Sequence, residues 1–169
     1  KPIAWISCPP LGVRPGDMER GFLVDEEGFL FRCLDLTEEI EELPIIENFA
    51  MADPDEGIQL TDSAMLGAVD LVLRSPEISS GSSTGVHLVR VRNEWSLQCR
   101  FQNGLQAVFA LYDIDRGLED LGLVLKQAEK MGQHLATVDV SMSDNIPATF
   151  AGPVDPERIS AVARPLGTT

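Results

Sequence analysis

The sequence predicts an α+β fold, with an antiparallel-rich sheet and about two helices packed on one of its faces. Three observations carry this. Two segments, near residues 62–74 and 116–133, place apolar residues at helical spacing. Other segments alternate apolar and polar residues, as half-buried strands do. Helices are few, and the strands are joined by tight turns containing Gly, Asn or Asp, which suits an antiparallel arrangement. The 169 residues are enough for one domain, and 44% apolar residues are enough for a core.

Lys1 to Cys8, "KPIAWISC", reads as a strand with Pro2 at its start, where a missing N–H is tolerated. Residues 9–21 are a Pro- and Gly-rich loop. In "FLVDEEGFLF", residues 22–31, the acidic stretch Asp25-Glu26-Glu27 closed by Gly28 admits a metal loop or a hairpin turn. The β-branched and aromatic flanks favour the hairpin, and the further oxygen ligands of a calcium loop do not follow. Residues 34–57 read as acidic and irregular, anchored by "LPII" at 43–46. Glu38, Glu39, Glu41 and Glu42 form a solvated run, and "DPDEG" at 53–57 is out of register for calcium.

Thr61 or Asp62 caps the first helix, with Met65, Ala68, Val69 and Val72 on its buried stripe and Ser75-Pro76 closing it. "SSGSSTG" at 79–85 is expected to be a flexible loop, without the Lys of a phosphate loop. Trp95, Leu97, Cys99 and Phe101 alternate with polar residues, and so do Leu105, Ala107, Phe109 and Leu111. A two-residue Asn-Gly turn would set apolar against polar faces. A three-residue loop, Gln102-Asn103-Gly104, pairs Phe101 with Leu105, Cys99 with Ala107 and Leu97 with Phe109, so the buried face selects it. The second helix buries Leu118, Leu121, Val124, Leu125, Ala128 and Met131, and ends near Gly132. A last hairpin spans 137–151, turning at Ser143-Asp144-Asn145. Residues 153–169 are expected to be a flexible C-terminal tail.

The net charge of −14 argues against nucleic acid and anionic membrane surfaces, which want basic patches. No apolar run approaches the roughly 20 residues of a membrane span. The chain begins at Lys1 rather than Met, as a piece of a longer protein would. Three cysteines without a CxxC, and two histidines, do not assemble a zinc site. His87 and His134 lack a neighbouring nucleophile, and Asp139 lies on the polar face of its strand. The expectation is therefore a binding protein with no catalytic residues, no metal and no cofactor.

In order, "KPIAWI", "GFLVDEEGFLF", "LPII", a helix, "VRVRNEWSLQCRFQNGLQAVFALYD", a second helix and "VDVSM" resemble the periplasmic part of the FtsQ/DivIB family of bacterial cell-division proteins. The matching positions include Pro2, Ala4 and Trp5, then Leu23-Val24-Asp25 with Gly28 and Phe31, then Leu43-Pro44. Ser141 stands where the family usually has a basic residue. The resemblance implies residues 1–8 as the remnant last strand of a truncated POTRA domain and residues 9–152 as an FtsQ-type β domain. It implies a single-pass protein of the bacterial inner membrane, anchored upstream of Lys1, with this domain in the periplasm. Its role would be a scaffold of the division machinery that joins FtsB- and FtsL-type proteins. The competing reading is an uncharacterised α+β hydrolase or ligand-binding domain.

Two site expectations follow. An oxidising periplasm would permit a disulfide between Cys8, ending the first strand, and Cys33, ending the hairpin, if those strands are neighbours; the alternative is two buried thiols. No later strand is available to cover Ile146 to Ala151, so this strand is expected at a sheet edge that can accept a partner strand. The contact residues would be Met142, Ile146, Ala148, Thr149 and Phe150. Met142 and Phe150 align with positions where family members often hold Tyr and Trp. The alternative places both in the core against the second helix.

Overall fold

The structure is a computed structural model and describes residues 1–78 and 85–152. The expected loop at 79–84 and the expected tail at 153–169 lie outside the described residues. The fold is α+β. Nine strands are described: β1 (Pro2–Ser7), β2 (Phe22–Asp25), β3 (Leu30–Arg32), β4 (Ile45–Glu47), β5 (Val86–Val91), β6 (Ser96–Phe101), β7 (Gln106–Ala110), β8 (His134–Asp139) and β9 (Ala148–Ala151). With them are α1 (Glu38–Glu41), α2 (Ser63–Arg74) and α3 (Ile114–Lys130).

All nine strands form one mixed sheet in the order β3-β2-β1-β4-β5-β6-β7-β8-β9. The β1–β4, β4–β5 and β7–β8 pairs are parallel, and the other five are antiparallel. β1 lies inside the sheet, paired to β2 on one side and β4 on the other, so the strand at residues 1–8 shares the core of everything that follows.

Local chemistry explains the elements. Asp25 Oδ1 accepts the N–H groups of Glu27 and Phe29, and Gly28 adopts φ 83°, so the acidic stretch at 25–28 is a side-chain-stapled turn. Asp62 caps α2 by accepting the Met65 N–H at 2.9 Å. The three-residue loop after β6 forms as expected: Leu97 pairs Phe109, Cys99 pairs Ala107, and Gly104 takes φ 90°. That register puts Leu97, Cys99, Phe101, Ala107 and Phe109 on one face, all buried.

This face meets α2 and α3. Met65, Ala68, Val69, Leu71 and Val72 from α2, and Leu118 and Leu121 from α3, join it to close the main core. The opposite face holds a smaller cluster of Trp5, Leu23 and Cys33, covered by Ile40 of α1 and by Leu36 and Leu43. Trp5 Nε1 donates to the Ile40 carbonyl at 2.7 Å, which ties the acidic segment down. The segment at 34–57 is thus less irregular than expected. It contributes a helical turn on the second face, and its "LPII" anchor supplies β4, which bridges β1 and β5.

Two side chains depart from the expected pattern. Trp95 does not continue the buried row of β6. It sits on a turn held by Asn93 Oδ1, which accepts the N–H groups of Trp95 and Ser96, and it is 66% exposed. Met131 is exposed because α3 has ended before it.

Candidate functional site

The two edges of the sheet differ. At the β3 edge, the chain between β4 and α2 folds back along the outside of the hairpin. Leu30 N–H donates to Ile58 O at 2.9 Å, Gly57 N–H to Leu30 O at 2.8 Å, and Leu60 N–H to Gly28 O at 2.9 Å. Gln59 Nε2 adds a bond to Glu27 O. This edge is closed by the chain's own backbone.

Among the described residues the β9 edge is open. β9 pairs only with β8, and among the described residues no strand lies beyond it. The register sets Val138 against Ala148 and Thr137 against Thr149. Asp139 N–H donates to Pro147 O at 2.9 Å. The backbone groups of one strand residue point to one side and those of the next to the other. Pro147 and Thr149 therefore face β8, while the N–H and C=O of Ala148 and Phe150 face outward. Pro147 has no N–H to offer, but its ring nitrogen is turned to β8 and away from the open edge. The proline that could have protected the edge leaves it available.

The five expected contact residues gather here, with different surroundings. Phe150 lies opposite Leu135 and is 45% exposed. Met142 is exposed on the loop between β8 and β9. Ile146 and Ala148 are half-buried against the main core on the helix side. Thr149 points to the other face, where its hydroxyl meets that of Thr137 at 2.6 Å. Met142 and Phe150 are thus not buried under α3, and the site has an apolar side and a hydroxyl side. Sequence reasoning did not identify Leu135, the cross-strand neighbour of Phe150, because that pairing depends on a bulge between Leu135 and Thr137.

The expected Cys8–Cys33 disulfide is corrected. Both cysteines are free thiols. β2 lies between β1 and β3, so the two strands are not neighbours. Cys8 belongs to the main core and Cys33 to the cluster on the opposite face, so the sheet itself separates the sulfurs. The third thiol, Cys99, is fully buried, and desolvation pushes its pKa up.

His87 and His134 are both exposed, at different strands. Asp139 accepts from the Ser141 N–H and hydroxyl, a local turn contact. Among the described residues no group of His, Cys, Asp or Glu side chains could hold a metal ion, and no helix is long and apolar enough to cross a membrane. No protein-family model matches the chain, and no curated protein matches it.

Proposed function

We propose that this chain is a periplasmic β domain of the FtsQ/DivIB type, a non-catalytic scaffold that seats an extended segment of an FtsB- or FtsL-type division protein on β9. The observation that carries the reading is the asymmetry of the sheet among the described residues: the β3 edge is closed by residues 57–60, and the β9 edge is open with Pro147 turned inward. Added as a tenth strand, the partner would bond to the outward groups of Ala148 and Phe150, and backbone bonds of this kind supply affinity without a preformed pocket. Specificity would come from the two faces of the site. Phe150 offers a large apolar contact on the helix side, Met142 another on the adjoining loop, and Thr149 a hydroxyl on the other face.

The motif order from "KPIAWI" to "VDVSM" supports the same reading. In this reading the sheet is the FtsQ-type β domain, β1 continues from a POTRA domain upstream, and a membrane anchor precedes that. The test is capture by FtsB- and FtsL-type periplasmic segments, comparing the unaltered chain with Phe150→Ala and with a chain ending at Asn145. Loss of capture in both, with circular dichroism unchanged, is expected. Full capture by both removes β9 as the partner surface.

A further inference from the structure

The loop between β6 and β7 needs a glycine that also makes it chemically labile. Position 104 has φ 90°, which glycine adopts without strain. The residue before it is Asn103. A side-chain amide followed by glycine is open to attack by its own chain, because no Cβ crowds the next backbone nitrogen. No described atom lies within 4 Å of where a Cβ on Gly104 would stand, and Gln102, Asn103 and Gly104 are all exposed. The other three asparagines of the chain are guarded differently. Asn48 is buried and precedes Phe49. Asn93 precedes Glu94, and its Oδ1 accepts the Trp95 N–H and both the N–H and the hydroxyl of Ser96. Asn145 is exposed but precedes Ile146, whose branched Cβ crowds the nitrogen.

In the closed hairpin both reacting groups are held by other partners. The Gly104 N–H donates to Phe101 O at 3.0 Å, and Asn103 Oδ1 accepts the Leu105 N–H at 3.0 Å. The flanks are pinned as well. The Phe101 N–H donates to Leu105 O at 2.9 Å, the Gln102 N–H donates to Gly85 O at 3.2 Å, and Phe101 and Leu105 are buried. For a ring to close, Asn103 Cγ must swing onto the Gly104 nitrogen, and that nitrogen must give up its proton. The first motion breaks the bond to Leu105 and the second the bond to Phe101.

We propose that Asn103 is a deamidation site gated by the β6–β7 hairpin, protected while the strands are paired and reactive once they open. The chemistry needs only water. Hydroxide takes the Gly104 N–H proton, and the nitrogen attacks Asn103 Cγ to close a cyclic imide. The Cγ–Nδ2 bond breaks, and Nδ2 takes a proton from water and leaves as ammonia. Water then opens the imide. Breaking the nitrogen's bond to Cγ leaves an aspartate in the ordinary backbone. Breaking its bond to the main-chain carbonyl carbon leaves an isoaspartate, whose backbone runs through Cβ and Cγ. The aspartate keeps an oxygen to accept the Leu105 N–H, so the loop can close again. The isoaspartate adds one backbone atom to a loop whose length sets Leu97 against Phe109 and Cys99 against Ala107. Modification of an opened segment follows the population of the open form, so the site keeps a lasting record of hairpin opening.

The experiment incubates the full chain at mildly alkaline pH, once in buffer and once unfolded in guanidinium chloride. Peptide mapping by mass spectrometry reads conversion of amide to acid at each asparagine, and labelling with an isoaspartyl methyltransferase reads the isoaspartate. In guanidinium chloride Asn103 should convert tenfold or more faster than Asn145. In buffer it should convert tenfold or more slower than in guanidinium chloride. Leu105→Ala removes the loop's buried anchor and should move the rate in buffer several-fold toward that of the unfolded chain. Chains carrying the isoaspartate should not regain the original melting temperature when the denaturant is removed, whereas Asn103→Asp should melt as the unaltered chain does. Equal rates at Asn103 and Asn145 in the unfolded chain overturn the site. A rate in buffer within twofold of the unfolded rate, or no change in Leu105→Ala, overturns the gate. Isoaspartate chains that regain the original melting temperature overturn the lasting record.

Discussion

Replacing Ala148 by proline separates the two sides of β9. Its N–H points outward, because the neighbouring Pro147 carbonyl is the one bonded by Asp139. The substitution therefore removes no bond to β8. Its cost to folding is the shift of φ toward about −65° in an edge strand, on the order of 1 kcal/mol. Binding should suffer more. One net hydrogen bond contributes about 0.5–1.5 kcal/mol, and the ring also pushes a partner strand away from the adjacent groups of Phe150. A combined loss of about 2–3 kcal/mol corresponds to roughly 30- to 150-fold in Kd. Thr149→Pro is the matched control. Thr149 faces β8 opposite Thr137, so its proline breaks the β8–β9 ladder and should cost stability by about 2 kcal/mol or more. Denaturant titration reads stability, and calorimetry with an FtsB-type segment reads affinity. Ala148→Pro binding within twofold of the unaltered chain, or losing as much stability as Thr149→Pro, would refute the assignment of sides.

Three further outcomes are expected. Thiol titration of the denatured, unreduced protein should give three free thiols, and Cys99 should react slowly before denaturation, since burial raises its pKa. Asp25→Ala should lower stability by about 1 kcal/mol through loss of the two N–H bonds at its Oδ1, a fall of about 2–4 °C in Tm by thermal melting. The backbone N–H groups of Arg20 and Glu19 hold the Asp17 carboxyl below its ordinary 3.8. A depressed folded-state pKa stabilises fully above the unfolded value and is lost as pH falls through the folded one. The Tm difference between the unaltered chain and Asp17→Ala should then hold near neutral pH and shrink below about pH 3.8, checked by melting across that range.

What the sequence made legible is what depends on near neighbours. The alternation through Leu97–Phe101 and Leu105–Phe109 selected a register that the strands adopt, because a slip of one residue would expose a fully buried row. Asp62 and the α2 stripe were readable for the same reason. The features that were missed depend on distant pairing. Three residues at 45–47 carry too short a pattern to mark a strand, and β4 exists because β1 and β5 flank it in parallel. The separation of Cys8 from Cys33 follows from β2 lying between their strands, an order no local pattern encodes. At the candidate site, the sequence led to the expectation of an edge at Ile146–Ala151, and among the described residues β9 pairs only with β8. The inward turn of Pro147 was not, since it follows from which residue of β8 bonds to it.

Residue-resolved amide hydrogen exchange of β9, with and without an FtsB-type periplasmic segment, tests strand addition most directly. In the free protein the Thr149 amide, facing β8, should exchange more slowly than those of Ala148 and Phe150, which face solvent. Added partner should slow Ala148 and Phe150 by tenfold or more while changing Thr149 least, because only the outward donors gain an acceptor. Calorimetric binding with Ala148 and Phe150 still exchanging at their free rates would contradict the account.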